Sequence, residues 1–184
     1  MKERPILFSA PMVRAILAGE KTQTRRIIKP QPDSKGLRLT HIWEDWHGRS
    51  IKCPYGDIGD HLWVRETFCK TEWEAFNYKA EWDNIHPELS KHTKWKPSIF
   101  MPRIASRITL EIINIRAERL NEIMEEDAQA EGVKSTAKLT PSGDDYIGLY
   151  ASEHFETLWQ SINGPGSWDE NPWVWVIEFK KIKP

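Results

Sequence analysis

The sequence predicts an α+β fold, a small mixed β-barrel with flanking helices. Short segments in which apolar and polar residues alternate occur along most of the chain, which is typical of strands with one buried face. Two longer segments carry the apolar spacing of helices. The sequence has no parallel β-α-β repeat and no glycine-rich phosphate loop, so it does not indicate a doubly wound nucleotide-binding fold. Its 184 residues fit a single domain.

The first third of the chain predicts one helix followed by short strands. Ser9 can cap a helix that has Pro11 in its first turn and ends at Gly19, because glycine adopts the left-handed conformation with little strain. Strands are predicted at residues 22–28, 37–43, 49–54 and 61–68. The second and third of these strands would form a hairpin.

The middle and the end of the chain predict further strands. Residues 70–98 are rich in Trp, Lys, Glu and Pro, and they indicate an irregular insertion with one short strand at residues 76–79. Residues 107–115 alternate clearly and predict a strand with one apolar face. Residues 173–182 are apolar on both faces at first, so we expect this last strand to lie inside the sheet.

Two helices are predicted in the second half. One begins at a capping Asn121, carries acidic residues in its first turn and ends at Gly132. The other spans residues 144–164. Its apolar stripe is predicted to consist of Ile147, Ala151, Phe155, Leu158 and Ile162.

Charge is distributed unevenly along the chain. The formal net charge is -1, which does not indicate a protein that coats nucleic acid. Residues 1–30, however, hold seven basic and two acidic residues, whereas residues 117–131 hold six acidic residues and one basic residue. If these two segments meet in the fold, their charges complement each other.

Cysteine and histidine spacing indicates neither a disulfide framework nor a metal site. Cys53 and Cys69 are far apart in sequence, and the spacing of His41, His47 and Cys53 matches no ligand pattern. We therefore expect no metal and no other cofactor. We also expect a cytoplasmic protein without a membrane segment, because no uncharged stretch approaches the roughly 20 residues that a span needs.

The segment Leu17–Pro30, LAGEKTQTRRIIKP, carries the chemistry of greatest interest. The Thr24 hydroxyl is a weak nucleophile that needs a base, and Lys21 can supply one if burial or the neighbouring cations Arg25 and Arg26 lower its pKa. Glu131 is the candidate carboxylate, since it falls in the last turn of its helix, where the helix dipole disfavours a negative charge. The alternative interpretation is that all these residues are solvated surface charges.

Several motifs together resemble the ASCH domain family, whose members have a PUA-like β-barrel. The motifs are ILAGEKTQTRR, GDIGDHLWVRE, RITLEI, EEDAQAEGV and PWVWVIEF, and they span both ends and the middle of the chain. The chain as a whole is similar to phage and prophage ASCH proteins. This resemblance implies a role connected with nucleosides or RNA, so the implied partner is a modified nucleoside or RNA.

Within that family, bacterial N4-acetylcytidine amidohydrolases carry a K-T-x-T-x-R segment similar to KTQTRR. The resemblance implies that Lys21 is the base, that Thr24 is the nucleophile and that Arg26 is a structural or substrate contact. It also implies that Glu131, in the matching segment EEDAQAEG, is the catalytic carboxylate. Relative to those short enzymes, this single domain would have insertions near residues 33–55, 70–98 and 134–170.

Three hypotheses therefore remain open. The chain is an amidohydrolase that deacylates nucleosides such as N4-acetylcytidine, an RNA-binding module, or an interaction protein that docks a partner. Some ASCH proteins are linked to RNA cleavage, which adds an RNA-cleaving alternative. Substrate contacts are expected from Arg25, Arg26, Trp63 and Arg65. In the interaction hypothesis the docking residues are Trp73, Trp82 and Trp95.

Overall fold

The computed structural model describes residues 1–32, 37–39, 43–45, 47–48, 50–71, 73, 75–139 and 146–182. Within these residues the chain forms five α-helices, eleven strands and three short 3-10 helices. The helices and strands alternate irregularly along the chain, and the main sheet contains both parallel and antiparallel pairs. This confirms the predicted α+β class.

The elements follow one another in this order along the described chain. The strands are β1 (Glu3–Leu7), β2 (Gln23–Ile27), β3 (Leu37–Leu39), β4 (Trp43–Asp45), β5 (His61–Arg65), β6 (Phe68–Lys70), β7 (Phe76–Tyr78), β8 (Thr109–Arg119), β9 (Lys138–Leu139), β10 (Tyr146–Ile147) and β11 (Trp173–Ile182). The α-helices are α1 (Ala10–Leu17), α2 (Lys79–Ile85), α3 (Pro87–His92), α4 (Glu125–Ala130) and α5 (Ala151–Asn163). The 3-10 helices are Ser98–Phe100, Arg103–Ala105 and Leu120–Glu122.

Five strands form the main sheet in the order β1-β5-β8-β11-β2. β1 runs parallel to β5, β5 runs antiparallel to β8, and β11 runs antiparallel to β2. Among the described residues this sheet has two edge strands, β1 and β2, and is not closed into a barrel. β11 lies in the interior of the sheet, as its apolar faces predict.

The chain divides into two compact units. The first unit consists of Met1–Gly19, Tyr55–Ile113 and Phe179–Pro184, and the second consists of Glu20–Pro54 and Asn114–Glu178. Both β8 and β11 pass from one unit into the other along the chain.

The first unit contains α1 and a small apolar cluster. α1 buries Val13 and Ile16 and is followed by Gly19 at φ 77°, so the predicted helix and its end are confirmed. The buried members of the cluster are Phe68, Met101 and Ala105. On β8, the alternate residues Ile108, Leu110 and Ile112 are predicted to share one face, and all three are buried.

The second unit is organised around a cluster that α4, α5 and β11 share. Its buried residues are Leu120, Ala128, Ala151, Phe155, Trp159, Val174 and Val176. α4 and α5 are also joined by a carboxylate, because Glu125 accepts hydrogen bonds from the backbone N–H groups of Ala151 and Ser152 at 2.8 and 3.0 Å. Glu125 therefore satisfies two of the donors that the first turn of α5 leaves unpaired.

The two helices predicted in the second half are shorter than expected. The first starts at Glu125 rather than after Asn121, because Ile123 has an extended ψ of 129° and packs on the apolar cluster instead of continuing the preceding 3-10 turn. The second starts at Ala151, and Ile147 belongs to β10. Residues 144 and 145 lie outside the described residues.

The apolar stripe of α5 is also corrected. Ala151, Phe155 and Trp159 are buried at intervals of four residues, whereas Ile162 is exposed. The Trp159 indole N–H donates to the Ser167 carbonyl oxygen at 3.3 Å. The indole ring is therefore buried with its one polar group hydrogen-bonded.

Two further predictions on the strands and the insertion need correction. The strand that pairs with β3 is β4 at Trp43–Asp45, which begins at the last residue of the predicted strand 37–43 and continues into the expected hairpin tip. The strand predicted at 49–54 is wrong for its described residues, where Ser50 makes only an isolated bridge with Glu44. Residues 40–42 and 49 lie outside the described residues. The insertion at 70–98 contains the expected strand, β7, but it also contains α2 and α3, which its irregular pattern did not predict.

Candidate functional site

Lys21 and Glu131 lie opposite each other in the second unit, where the segment that leads into β2 meets the end of α4. They form an isolated antiparallel bridge, and Thr22 N donates to the Ala130 carbonyl oxygen at 2.8 Å. Lys21 Nζ donates to Glu131 Oε2 at 2.6 Å and to the Glu131 carbonyl oxygen at 2.8 Å. Only 1% and 4% of the two side chains are exposed. The pair is therefore a desolvated ion pair.

The local fold explains why Lys21 is needed at this position. Glu131 is the C-cap residue of α4, and Gly132 follows it in the left-handed conformation at φ 85°. The end of a helix leaves carbonyl oxygens without partners and carries partial negative charge, to which Glu131 adds its carboxylate. One ammonium group thus compensates both the carboxylate and a terminal carbonyl of the helix.

Arg25 contacts three carboxylates at the centre of the site. Its Nη1 donates to Glu131 Oε1 at 3.3 Å, and its Nη2 donates to Asp127 Oδ2 at 2.8 Å. Its Nε and Nη2 both donate to Glu118 Oε1, at 3.1 and 2.5 Å. The Arg25 side chain has no exposed surface, and its guanidinium lies 5.8 Å from the centre of the Phe155 ring.

Arg116 on β8 extends this ion network. Its Nε donates to the second oxygen of Glu118 at 3.0 Å, and its Nη2 donates to both oxygens of Asp127 at 2.9 and 2.8 Å. Its Nη1 donates to Glu178. With Lys21 and Arg25, the network thus joins three cations to four carboxylates.

Sequence reasoning brought Lys21, Arg25 and Glu131 together but missed Gln23, Arg116 and the acids other than Glu131. On β2, Gln23 and Arg25 share one face because side chains alternate along a strand, and Gln23 Nε2 donates to the Asp127 carbonyl oxygen at 2.9 Å. The same two-residue spacing places Arg116 and Glu118 on one face of β8. The two-residue spacing of these polar residues was the available signal, although Arg116 and Glu118 lie beyond the strand predicted at residues 107–115.

Burial lowers the pKa of Lys21. The charge and the hydrogen bond of Glu131 raise it, the charges of Arg26 and Arg25 lower it, and the resulting pKa lies below the ordinary value of lysine. Part of the condition for a lysine to act as a base is therefore met.

Thr24 and Arg26 lie on the other face of β2. Thr24 is paired with Ile177 of β11 and is 2% exposed, and its hydroxyl has no hydrogen-bond partner among the described residues. Arg26 is paired with Trp175 and is half-buried. The three predicted catalytic residues, Lys21, Thr24 and Glu131, thus belong to one unit. Lys21 and Glu131 are in direct contact, but the Thr24 hydroxyl bonds neither of them.

Trp63 and Arg65, the other expected substrate contacts, belong to the first unit. The Arg65 guanidinium lies 5.2 Å from the centre of the Trp63 ring, and its Nε donates to the Met101 carbonyl oxygen at 3.0 Å. The Arg103 guanidinium lies 6.0 Å from the same ring. These contacts form a half-exposed cation-aromatic cluster.

The three tryptophans of the interaction hypothesis are also in the first unit and differ in exposure. Trp73 is 88% exposed, whereas Trp82 and Trp95 are half-buried. The Trp82 ring lies 4.7 Å from that of His86, and Trp95 Nε1 donates to the Ser90 carbonyl oxygen at 2.9 Å.

An open cavity of about 360 Å³ lies in the second unit. Its lining includes Glu20, which precedes Lys21, and Gly132, which follows Glu131. The remaining lining residues are Gln129, Val133, Lys134 and Ser135. Lys134 Nζ and Glu20 Oε1 form an exposed ion pair at 2.7 Å.

The described part of the chain holds neither a metal-binding cluster nor a helix that could span a membrane. No group of three or more His, Cys, Asp or Glu side chains there is arranged to hold a metal ion. None of its helices is both long and apolar enough to cross a membrane.

No protein-family model and no curated protein matches the chain. Among solved structures, the chain is similar to one described as "High resolution crystal structure of ASCH domain from Lactobacillus crispatus JV V101". The match covers 98% of this chain and 79% of that chain, with 14% sequence identity and a TM-score of 0.45. Its description names the domain that the sequence motifs resemble.

Proposed function

We propose that the protein hydrolyses the exocyclic amide of an N4-acylated cytidine nucleoside. The observation that carries this proposal is the Lys21–Glu131 pair, in which a buried lysine of lowered pKa lies 2.6 Å from a buried carboxylate. The resemblance of KTQTRR and EEDAQAEG to the ASCH amidohydrolases supplies the substrate class and the third residue, Thr24.

In the first step, the Thr24 hydroxyl attacks the amide carbonyl carbon while the neutral Lys21 amine accepts its proton. The tetrahedral intermediate then collapses, and the exocyclic nitrogen of cytosine leaves with a proton from the Lys21–Glu131 pair. The products of this step are cytidine and an ester between the acyl group and Thr24.

In the second step, a water molecule attacks the ester and the same pair accepts its proton. Cleavage of the ester bond releases the carboxylic acid and returns the proton to Thr24. The net reaction consumes one water and converts the acylated nucleoside into cytidine and a carboxylic acid. Lys21 needs to be neutral at the start of each step, a condition that its burial favours.

The open cavity is the candidate substrate site because its volume lies within the roughly 300–1,000 Å³ of ligand cavities, although none of Lys21, Thr24 and Glu131 lines it. Its size is near the lower end of that range, which suits a single nucleoside better than a folded RNA. The exposed Glu20 and Lys134 side chains could contact the ribose hydroxyls.

The test is to incubate the protein with N4-acetylcytidine and to measure released cytidine by chromatography. Thr24→Ala is expected to abolish turnover, because it removes the nucleophile. The matched control is Thr22→Ala, since the Thr22 side chain is exposed and its contact with α4 comes from the backbone. Loss of activity in Thr24→Ala with retention in Thr22→Ala supports the proposal; no turnover by the unchanged protein excludes this substrate.

A second candidate function is nucleoside or RNA binding without chemistry. The observation that favours it is the Thr24 hydroxyl, which has no hydrogen-bond partner among the described residues, although a nucleophile needs a base within reach. In this case Thr24→Ala retains binding of a labelled RNA. The affinity would fall steeply as salt rises if phosphate contacts dominate. The cation-aromatic cluster of Trp63, Arg65 and Arg103 would then be the first surface to mutate.

A further inference from the structure

Glu131 divides its two oxygens between two different cations. Oε2 accepts from Lys21 Nζ at 2.6 Å, and Oε1 accepts from Arg25 Nη1 at 3.3 Å. A lysine can lose its proton within the pH range of enzymes when it is buried, whereas an arginine stays charged. The two cations that share the carboxylate are therefore chemically unequal.

We propose that Arg25 is a positioning residue that holds Glu131 from the side opposite Lys21 and so controls the charge of the Lys21 amine. The permanent charge of Arg25 neutralises part of the carboxylate that would otherwise stabilise the ammonium form of Lys21. The catalytic consequence of this coupling rests on the proposed function, but the coupling itself does not.

The contacts of Arg25 explain how it is held in place. Glu118 and Asp127 bind its Nε and Nη2 atoms, which leaves Nη1 directed at Glu131. Glu118 and Asp127 are held in turn by Arg116. Because the Arg25 side chain has no exposed surface, water does not screen its charge from Glu131.

Other charged groups act on this arrangement and enter the prediction. The charge of Arg26 opposes the ammonium form of Lys21 in the same direction as Arg25. Glu118 and Asp127 act in the opposite direction, because their negative charges offset that of Arg25. Glu178 forms an ion pair with Arg116 and contacts neither Glu131 nor Lys21.

The proposal predicts opposite effects for two substitutions. Arg25→Gln frees the whole carboxylate for Lys21, so the ammonium form becomes more stable and Lys21 titrates at higher pH. Glu118→Gln removes a negative charge that offsets Arg25, so Lys21 titrates at lower pH. A residue that merely filled space would not give shifts of opposite sign.

The experiment is NMR titration of the lysine side-chain amines in protein labelled with ¹⁵N and ¹³C at lysine, with the Lys21 signal assigned from a Lys21→Arg variant. We expect Arg25→Gln to reduce the neutral Lys21 fraction at neutral pH by about tenfold or more. Arg25→Lys keeps the positive charge and is expected to retain most of the effect. The control is Arg119→Gln, because Arg119 contacts Trp173 and the Asn171 carbonyl and not the network residues.

Three outcomes overturn the proposal. The pKa of Lys21 is unchanged in Arg25→Gln, or it rises towards the ordinary lysine value in both Arg25→Gln and Glu118→Gln. The third outcome is that Arg119→Gln shifts the pKa of Lys21 as much as Arg25→Gln does. If Arg25→Gln does not fold, the comparison of Glu118→Gln with Arg25→Lys still decides. The NMR result is independent of turnover. Shifts of opposite sign in a protein without activity would therefore exclude the proposed reaction while supporting the role of Arg25.

Discussion

The two compact units each hold an arginine against carboxylates, but they do so in different ways. In the first unit, Arg107 binds both oxygens of the buried Glu66, at 2.9 and 3.1 Å, and also contacts Glu81. Its guanidinium stacks on the Tyr78 ring at 3.9 Å. In the second unit, Arg25 binds three carboxylates, and only one oxygen of Glu131 belongs to it.

The two clusters differ in whether the carboxylate is shared with a lysine. Arg107 bonds both oxygens of Glu66, and no second cation contacts Glu66 among the described residues. Glu131 leaves one oxygen for Lys21, whose proton can move. The position of Glu131 between a lysine and an arginine is the feature on which the proposed reaction depends.

The largest expected effect concerns stability. Arg25→Met leaves the buried Glu131 and the half-buried Glu118 and Asp127 with fewer cations, and it is expected to lower the free energy of unfolding by about 3–5 kcal/mol. Arg107→Met should have a smaller effect because 21% of its side chain is exposed, and Arg103→Met the smallest, because both Arg103 and its partner Glu3 are 44% exposed. Urea unfolding of the three variants measures the loss of unfolding free energy in each and so tests this order. An Arg103→Met variant as unstable as Arg25→Met would contradict it.

The next prediction uses pH, because one carboxylate in each unit, Glu66 and Asp127, has a pKa shifted in the opposite direction to the other. Burial raises the pKa of Glu66 above its ordinary value of 4.5, and the contacts with Arg107 only partly offset this effect. Burial would also raise the pKa of Asp127, but hydrogen bonds from Arg116 and Arg25 and their charges outweigh it and lower the pKa below 3.8.

The signs follow from linkage between proton binding and folding. The contribution of Asp127 to stability is present above pH 3.8 and is lost as pH falls through its lower folded-state pKa. The contribution of Glu66 is present below pH 4.5 and is lost as pH rises through its higher folded-state pKa.

These signs are checked by urea unfolding of Asp127→Asn and Glu66→Gln from about pH 3 to about pH 7. The loss of unfolding free energy in Asp127→Asn, relative to the unchanged protein, should grow as pH rises. That of Glu66→Gln should shrink or reverse. Deficits that both grow with pH would remove the proposed difference between the two clusters.

The smallest expected effect compares the glycines that end α1 and α4. Gly19 and Gly132 have φ angles of 77° and 85°, so alanine at either position is expected to cost about 1 kcal/mol of unfolding free energy. Gly132→Ala should also shift the Lys21 titration, because Gly132 follows Glu131 directly, whereas Gly19→Ala should leave it in place. Equal titration in both variants would show that the helix end does not position Glu131.

Charge patterning predicted the main contact of the site. The excess of basic residues before position 30 and of acidic residues at 117–131 indicated that these segments could meet, and Lys21 and Arg25 do contact acids of the second segment. This inference worked because buried charges need partners of opposite sign. The catalytic roles of Lys21, Thr24 and Glu131 remain predictions.

Element boundaries were less predictable because tertiary packing decided them. The acidic residues that follow Asn121 are typical of a helix start, yet the helix begins at Glu125 because Ile123 turns to pack on the apolar cluster. The helices α2 and α3 have few buried residues, Ala80 and Ser90 respectively, so their sequence lacks a clear apolar stripe. Gln23 and Arg116 were missed because polar residues on strands usually face solvent.

The long separation in sequence between the members of the site has a consequence for biosynthesis. Lys21 and Glu131 are 110 residues apart, and Thr24 is paired with Ile177. A growing chain therefore contains Lys21, Thr24 and Arg25 well before it contains their partners. The cations Lys21 and Arg25 stay hydrated until Glu118, Asp127 and Glu131 have been made. Lys21 and Glu131 thus meet only late in synthesis, and a fragment that stops before α4 lacks this ion pair.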